Sequence, residues 1–189
     1  MLAVTQCWQC REPVQGPVCA GCGAIQPPPA HPELFTILGL SPSYTIDRKA
    51  VDKAWRGASR KVHPDRFAGA SAVQRRMALQ WTAHLNRARK VIRDDTQRAW
   101  YLATGSERPG ERDKNQPDPA FLEQVFELNM LRAEDPAAAI ERARGLQSTE
   151  QERLSALFQS QAQGGTLDGA PAILGRLNYL RTVIDGGHE

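Results

Sequence analysis

The stretch DRKAVDKAWRGASRKVHPDRF, residues 47–67, decides how the rest of the chain is read. Val51, Ala54, Trp55, Ala58 and Val62 recur at i, i+3, i+4, i+7 and i+11, which puts them on one side of an α-helix. Lys49, Lys53, Arg56 and Arg60 fall at i, i+4, i+7 and i+11 on a separate strip of the same helix. Asp47 is placed to cap its N-terminus. Pro64 disfavours helical backbone at His63, so the helix stops there and a loop follows. Downstream, Trp81, Leu85, Ala88 and Ile92 repeat at i, i+4, i+7 and i+11 and predict a second amphipathic helix. The two stripes can pack as an antiparallel pair with His63-Pro64-Asp65 at the exposed tip. On spacing alone, a solvated helix face and a plain turn histidine fit the same residues. Gly57 sits mid-helix, where it costs about 1 kcal/mol relative to Ala; room for close helix packing is one reason to keep it.

On either side of this hairpin the composition sets bounds. The chain has 189 residues, 41% of them hydrophobic, and a formal net charge of +3. That is enough apolar material for one ordinary domain or two small ones. So small a net charge points away from a dedicated nucleic-acid binder. No run approaches 18 apolar residues, which excludes a membrane helix, and the first residues have no basic, apolar signal-peptide pattern. Residues 27–29 are three prolines, a stiff break, and residues 105–119 form a polar linker. No β-alternation is visible. The expected fold class is all-α, with a metal knuckle over 1–26, a helical hairpin domain over 31–105 and a C-terminal helical bundle over 118–189.

All four cysteines lie in the first 22 residues, as Cys7-x-x-Cys10 and Cys19-x-x-Cys22. In a reducing compartment, clustered CxxC pairs read as a metal site before they read as disulfides. Four thiolates make a closed tetrahedral structural site for Zn²⁺, with no open position for catalysis. Zinc is the leading ion; iron in the same sulfur geometry, or two disulfides, remain the alternatives. Gly23 follows the second pair directly and permits a positive φ there. The four histidines (His31, His63, His84, His188) are scattered, no Ser or Cys nucleophile stands beside one in a motif, and no Gly-rich phosphate loop appears. Catalysis by this chain is therefore not expected.

The basic helix, the HPD loop and the partner helix together resemble the J-domain of chaperone co-factors. The residues that carry the resemblance are Ala54-Trp55-Arg56, His63-Pro64-Asp65-Arg66-Phe67 and Leu85-Asn86-Arg87-Ala88. Asp94-Asp95-Thr96-Gln97-Arg98-Ala99-Trp100-Tyr101-Leu102 narrows it, being similar to the fourth J-domain helix of the HscB-type co-chaperones of iron–sulfur cluster biogenesis. Some eukaryotic members also open with a knuckle that resembles Cys7-Trp8-Gln9-Cys10, Cys19-Ala20-Gly21-Cys22 and Gln26-Pro27-Pro28. The resemblance implies that His63, Pro64, Asp65, Lys53, Arg56 and Arg60 engage an HscA-like heat-shock ATPase and stimulate its ATP hydrolysis. A general J-protein whose knuckle recruits other clients is the alternative. A third reading, a zinc-knuckle nucleic-acid regulator, is weakened because aromatic and basic residues do not interleave around the cysteines.

From Ala120 to Glu134 the pattern is apolar on too much of its circumference for a simple surface helix. Phe121, Val125 and Leu128 share one face, while Leu122, Phe126 and Met130 make a second stripe bordered by Glu123, Glu127 and Glu134. One stripe can bury in a bundle; the other needs a further internal neighbour or an external partner. By resemblance to HscB-type proteins, Leu122, Phe126, Glu127, Met130 and Glu134 would dock an IscU-type cluster scaffold. Glu123 and Met130 exchange the acidic and apolar characters usual at those places. In the last helix Ile173, Leu177, Leu180 and Ile184 are expected to share the buried face, leaving Tyr179 partly exposed, and the resemblance to HscB-type proteins implies that Tyr179 joins the docking surface.

The charge divides unevenly. Residues 1–30 hold one Arg and one Glu, residues 31–105 hold 14 basic against 6 acidic, and residues 106–189 hold 9 against 14. A basic hairpin domain and an acidic bundle suit two protein partners of opposite surface charge. With no targeting extension before Cys7, a bacterial cytosol is expected; a mitochondrial matrix fits only a processed chain. No nucleic-acid or membrane partner is expected.

Overall fold

The computed structural model describes residues 4–107, 118–161 and 163–185. Most of the expected polar linker, residues 108–117, lies outside them. The chain forms two compact units, Met1–Asp95 and Thr96–Glu189.

The first unit opens with a short hairpin that no period in the sequence marks. Strands β1 (Thr5–Gln6) and β2 (Pro13–Val14) pair antiparallel, with Thr5 opposite Val14. Two-residue strands are too short to show alternation, which is why no β signal was visible. A single bridge, Val18 to Ile25, closes a second turn of the same kind. Cys7, Val14, Cys19 and Ala24 make a miniature core between them.

Helix α1 (Leu34–Leu38) is capped by the Glu33 side chain and stopped by Gly39, whose positive φ of 71° a side chain would resist. Helix α2 (Arg48–Val62) starts at Asp47, whose carboxylate accepts the Lys49 N–H at 2.9 Å. It ends at His63, which is extended (ψ 131°) as the following proline requires. A 3₁₀ turn, Pro64–Phe67, follows and buries Phe67. Helix α3 (Ala72–Arg93) is capped by Ser71 and buries Trp81, Leu85, Ala88 and Ile92, as the spacing predicts.

Side-chain bonds fix the direction of the α2–α3 pair. Arg48 reaches Asp95 (2.9 Å), Asp52 holds Arg89 (2.7 Å) and Arg93 (3.5 Å), and Trp55 donates to Asn86 (3.0 Å). Partner numbers fall as helix numbers rise, so the pair is antiparallel. Arg89 also lies over the Trp55 ring at 4.5 Å, so one guanidinium joins an ion pair to a cation–π contact.

The hydrogen bond from Arg89 holds the Asp52 carboxyl below its ordinary 3.8; partial burial opposes this, and Arg93 and Arg56 add to it. A carboxyl depressed on folding contributes stability above its unfolded value and loses it as pH falls through the folded one. Asp52→Asn is expected to lower the urea midpoint at pH 7 and to flatten its fall below about pH 4. Identical pH profiles for the two proteins would contradict this role.

Close packing is not what keeps Gly57 in α2: beyond its chain neighbours and the backbone of its own helix, no atom lies within 4 Å of where its Cβ would be. Gly57→Ala should therefore raise stability by about 1 kcal/mol, read as a higher urea midpoint with unchanged slope.

Helix α4 (Asp95–Thr104) starts at the last residue of the first unit, and its remaining residues, among them buried Arg98, Ala99 and Trp100, belong to the second. Helices α5 (Pro119–Glu134), α6 (Pro136–Gln161) and α7 (Ala170–Asp185) then pack as a three-helix bundle. Asp118 caps α5, and Asp135 ends it and caps α6 by accepting the Ala137 and Ala138 N–H groups. Phe121, Leu128, Ala143, Leu180 and Val183 form the core, with Val125 packed against it.

The buried face of α7 includes the expected Leu177 and Leu180, with Ile184 packed against the core, and is wider than the expected stripe. Ala170, Leu174, Leu177, Leu180 and Val183 are buried, while Ile173 and Ile184 are only half-buried. Apolar residues cover a broad arc of this helix, and contact with both α5 and α6 widens the buried face on either side of Leu177 and Leu180. Arg176 ties the three helices together, pairing with Asp118 and with Glu150 (3.2 Å) and lying 5.4 Å from the Phe121 ring centre. No helix among the described residues is long and apolar enough to cross a membrane.

Candidate functional site

The two cysteine pairs are built alike. In the first, the Arg11 N–H donates to the Cys7 carbonyl (3.0 Å) and the Cys7 N–H to the Glu12 carbonyl (2.8 Å). In the second, Gly23 donates to Cys19 (2.9 Å) and Cys19 to Ala24 (2.9 Å). The residue after each pair turns left-handed: Gly23 at φ 73°, as expected, and Arg11 at φ 69°. The strained Arg11 was missed, because nothing but its position after a CxxC signals it.

The four sulfurs all lie within 4.8 Å of one another, with Cys7–Cys22 and Cys10–Cys19 each at 3.7 Å. A tetrahedron with metal–sulfur bonds of about 2.3 Å has edges of about 3.8 Å. A disulfide needs about 2.05 Å, and all four cysteines are free thiols. The cluster could bind a metal ion, and the two-disulfide alternative is not what the chain adopts.

Crowding splits the thiols. Burial opposes ionisation of Cys7, but the Cys10 and Gln9 N–H groups outweigh it and bring its pKa down to about 6. The Glu12 N–H favours the Cys10 thiolate, yet burial and the neighbouring sulfurs push it up to about 12. Four sulfurs this close do not all ionise unless a cation compensates them, so metal binding here is coupled to proton release.

His63, Pro64 and Asp65 stand at the end of α2, with the His63 and Asp65 side chains open to solvent. His63 Nδ1 accepts the Asp65 N–H at 3.4 Å. Lys53, Arg56 and Arg60 are all exposed along the outer side of α2. Arg66, a residue no spacing rule singles out, donates to the Arg60 and Lys61 carbonyls, both at 3.3 Å. It thereby satisfies the last carbonyls of α2 and holds the loop against the helix end.

On α5 the two stripes separate. Phe121 and Leu128 are buried and Val125 is half-buried, whereas Leu122 (42%), Phe126 (67%) and Met130 (53%) stay exposed in one row. Within this unit the second stripe is therefore not core. Glu123, Glu127 and Glu134 are also exposed, and Glu127 is held by Arg142 at 2.8 Å. Tyr179 is exposed (42%) on α7 and meets the Phe121 ring edge-on at 6.4 Å.

No family model matches the chain. A co-chaperone protein HscB homolog from Bordetella avium is 38% identical over 125 residues, which cover 66% of this chain and 73% of that protein. The chain belongs to the HscB co-chaperone family. The HscB homolog of Bordetella petrii is 39% identical over 107 residues, 55% of this chain and 63% of that protein. Among solved structures, human co-chaperone protein HscB superposes with a TM-score of 0.79 over 96% of this chain and 95% of that one; at 22% identity the likeness is one of fold. Chaperone HscB from Vibrio cholerae matches with a TM-score of 0.63, 25% identity and coverage of 81% and 93%.

Within the HscB fold, buried Glu150 is held by Arg153 (2.9 Å) and Arg176 (3.2 Å), and Arg176 also pairs with Asp118 at the start of α5. Burial opposes the charge on Arg176, but Glu150 and Asp118 overcome it and raise its pKa. The Asp118 carboxyl lies below its usual range, chiefly because it accepts the Phe121 N–H, with Arg176 adding to the effect. Glu150 and Arg153 are an i, i+3 pair on α6, whereas Asp118 and Arg176 come from distant parts of the chain with no spacing rule to join them.

Proposed function

We propose that this chain is a co-chaperone that binds an IscU-type iron–sulfur scaffold through its bundle and delivers it to an HscA-like heat-shock ATPase. In this reading residues 31–105 form the J-domain, residues 118–189 the scaffold-binding bundle and residues 1–26 the knuckle. His63, Pro64 and Asp65 trigger ATP hydrolysis on the partner, and Lys53, Arg56 and Arg60 steer its acidic surface onto α2. Leu122, Phe126, Met130 and Tyr179 supply the apolar contacts to the scaffold, with Glu127 and Glu134 at the rim. The chain itself catalyses nothing; the ATP site belongs to the partner. Zn²⁺ in the knuckle is structural, since four sulfurs leave no open position. The compartment is a bacterial cytosol, in line with the bacterial sources of the HscB homologs it resembles.

The observation that carries this reading is the α5 row. Three large apolar side chains at i, i+4 and i+8 are left in water beside acidic ones, on a helix whose other apolar face buries Phe121 and Leu128 in the bundle core. Such a row costs solubility unless a partner covers it, and an apolar centre with a charged rim is the make-up of a protein–protein interface. The basic outer side of α2 makes the second half of the reading.

The test is titration of the intact chain with purified scaffold protein, followed by single-turnover ATP hydrolysis on the HscA-like chaperone. Scaffold binding together with stimulated hydrolysis is expected. Stimulation without scaffold affinity would instead identify a general J-protein with other clients.

A further inference from the structure

We propose that Gln26 is the positioning residue of the four-cysteine site and also its link to α3, so that metal loading tightens the third helix of the first unit. The inference rests on the reading that the cysteines hold a metal ion. Gln26 is 6% exposed, and its polar groups are tied to five places. Its side-chain N–H groups donate to Cys7 Sγ (3.3 Å) and the Ala24 carbonyl (2.8 Å), and its Oε1 accepts the Trp8 N–H (3.3 Å). Its own N–H donates to the Pro17 carbonyl (2.8 Å), and its carbonyl accepts Trp81 Nε1–H (2.7 Å).

These partners also fix which way the amide points. The Trp8 N–H can only donate and the Ala24 carbonyl can only accept, so the NH₂ group must face the Cys7 sulfur. Cys7 is 1% exposed, so water is not at hand to stabilise its thiolate. A buried N–H donor at that sulfur supplies what solvent cannot, which is how a neighbour of a metal ligand tunes and orients it. If packing were the only demand, a leucine would fill this place without burying an amide.

The same residue reaches outward. Trp81 is a buried member of α3, and its indole N–H has the Gln26 carbonyl as acceptor. Trp8, from the first cysteine pair, donates its indole N–H to the adjacent Ile25 carbonyl at 2.7 Å. Two consecutive carbonyls are thus held, one by an indole of the knuckle and the other by an indole of α3. Losing the ion frees the cysteine pairs, lets Gln26 move and takes the acceptor away from Trp81.

The experiment uses the full chain loaded with Zn²⁺ or Co²⁺. Absence of stoichiometric metal in the unsubstituted protein would overturn the metal reading itself. With metal present, Gln26→Leu is expected to weaken cobalt binding about 10- to 100-fold in chelator competition and to shift the thiolate-to-cobalt absorption band. Gln26→Glu, which keeps the shape but replaces the donor with a charge, gives the same comparison if the leucine variant fails to fold. Hydrogen exchange supplies the second readout. Stripping the metal should speed exchange of the α3 amides between Ala78 and Leu85, and this effect should shrink in Trp81→Phe. Unchanged cobalt affinity and absorption in both Gln26 variants would overturn the positioning role. Exchange that changes only within residues 4–26 on stripping would overturn the link to α3.

Discussion

Leu122→Ala combined with Phe126→Ala is expected to weaken scaffold binding several-hundred-fold while leaving the fold unchanged. Both side chains are exposed in the free chain, so truncating them removes little that the folded state buries. Surface substitutions of this kind usually stay within about 0.5 kcal/mol in stability. Once a partner covers the row, the same side chains become the buried centre of an interface. Large anchors there cost about 2 kcal/mol or more each on truncation, and about 1.4 kcal/mol is tenfold in affinity. Calorimetric titration with the scaffold measures the first quantity and a urea midpoint the second. If affinity is unchanged, the bundle does not hold its cargo by this face. Glu127 should behave differently: its Arg142 tie is solvent-exposed, so Glu127→Gln ought to change salt dependence and association rate more than lifetime.

His63→Gln is expected to abolish stimulation of the partner ATPase, a loss of at least tenfold, without altering scaffold affinity. The His63 side chain is exposed at the helix end, and its Nδ1 accepts the Asp65 N–H at the long distance of 3.4 Å. Little folding energy depends on so weak a contact. Whatever the imidazole and the Asp65 carboxylate contribute must therefore appear in the complex. Asp65→Asn tests the charge separately, since a carboxylate facing a guanidinium makes a charge-assisted pair that an amide cannot. Single-turnover hydrolysis reads both variants, and undiminished stimulation by His63→Gln would remove the trigger from this loop.

The parts of this molecule that follow local rules were legible from residue order. Helix α2 could be placed to within a residue because its apolar period is clean, Asp47 caps it and Pro64 stops it. Trp81, Leu85, Ala88 and Ile92 were assigned to a core for the same reason, and CxxC spacing alone gathered the four sulfurs. What escaped depends on neighbours distant in sequence. The width of the buried face of α7, with Ala170, Leu174 and Val183 joining Leu177 and Leu180, depends on the two helices that press on it, which periodicity does not mark. The Asp52–Arg89–Trp55 group, the Glu127–Arg142 pair and the Gln26 junction join residues 15 to 55 positions apart, with no spacing rule to predict them. Arg11 stands in a conformation that glycine would mark and arginine conceals.

The claim at the centre of this account is that trigger and cargo site must belong to one molecule. The most direct measurement is single-turnover ATP hydrolysis by the HscA-like chaperone with its scaffold present. It compares the intact chain with an equimolar mixture of His63→Gln and the Leu122→Ala, Phe126→Ala double variant. Each variant lacks one function and keeps the other. The account predicts that the intact chain and scaffold stimulate hydrolysis together far more than either does alone, and that the mixture does not reproduce this. A mixture as effective as the intact chain would contradict delivery of cargo by a single co-chaperone.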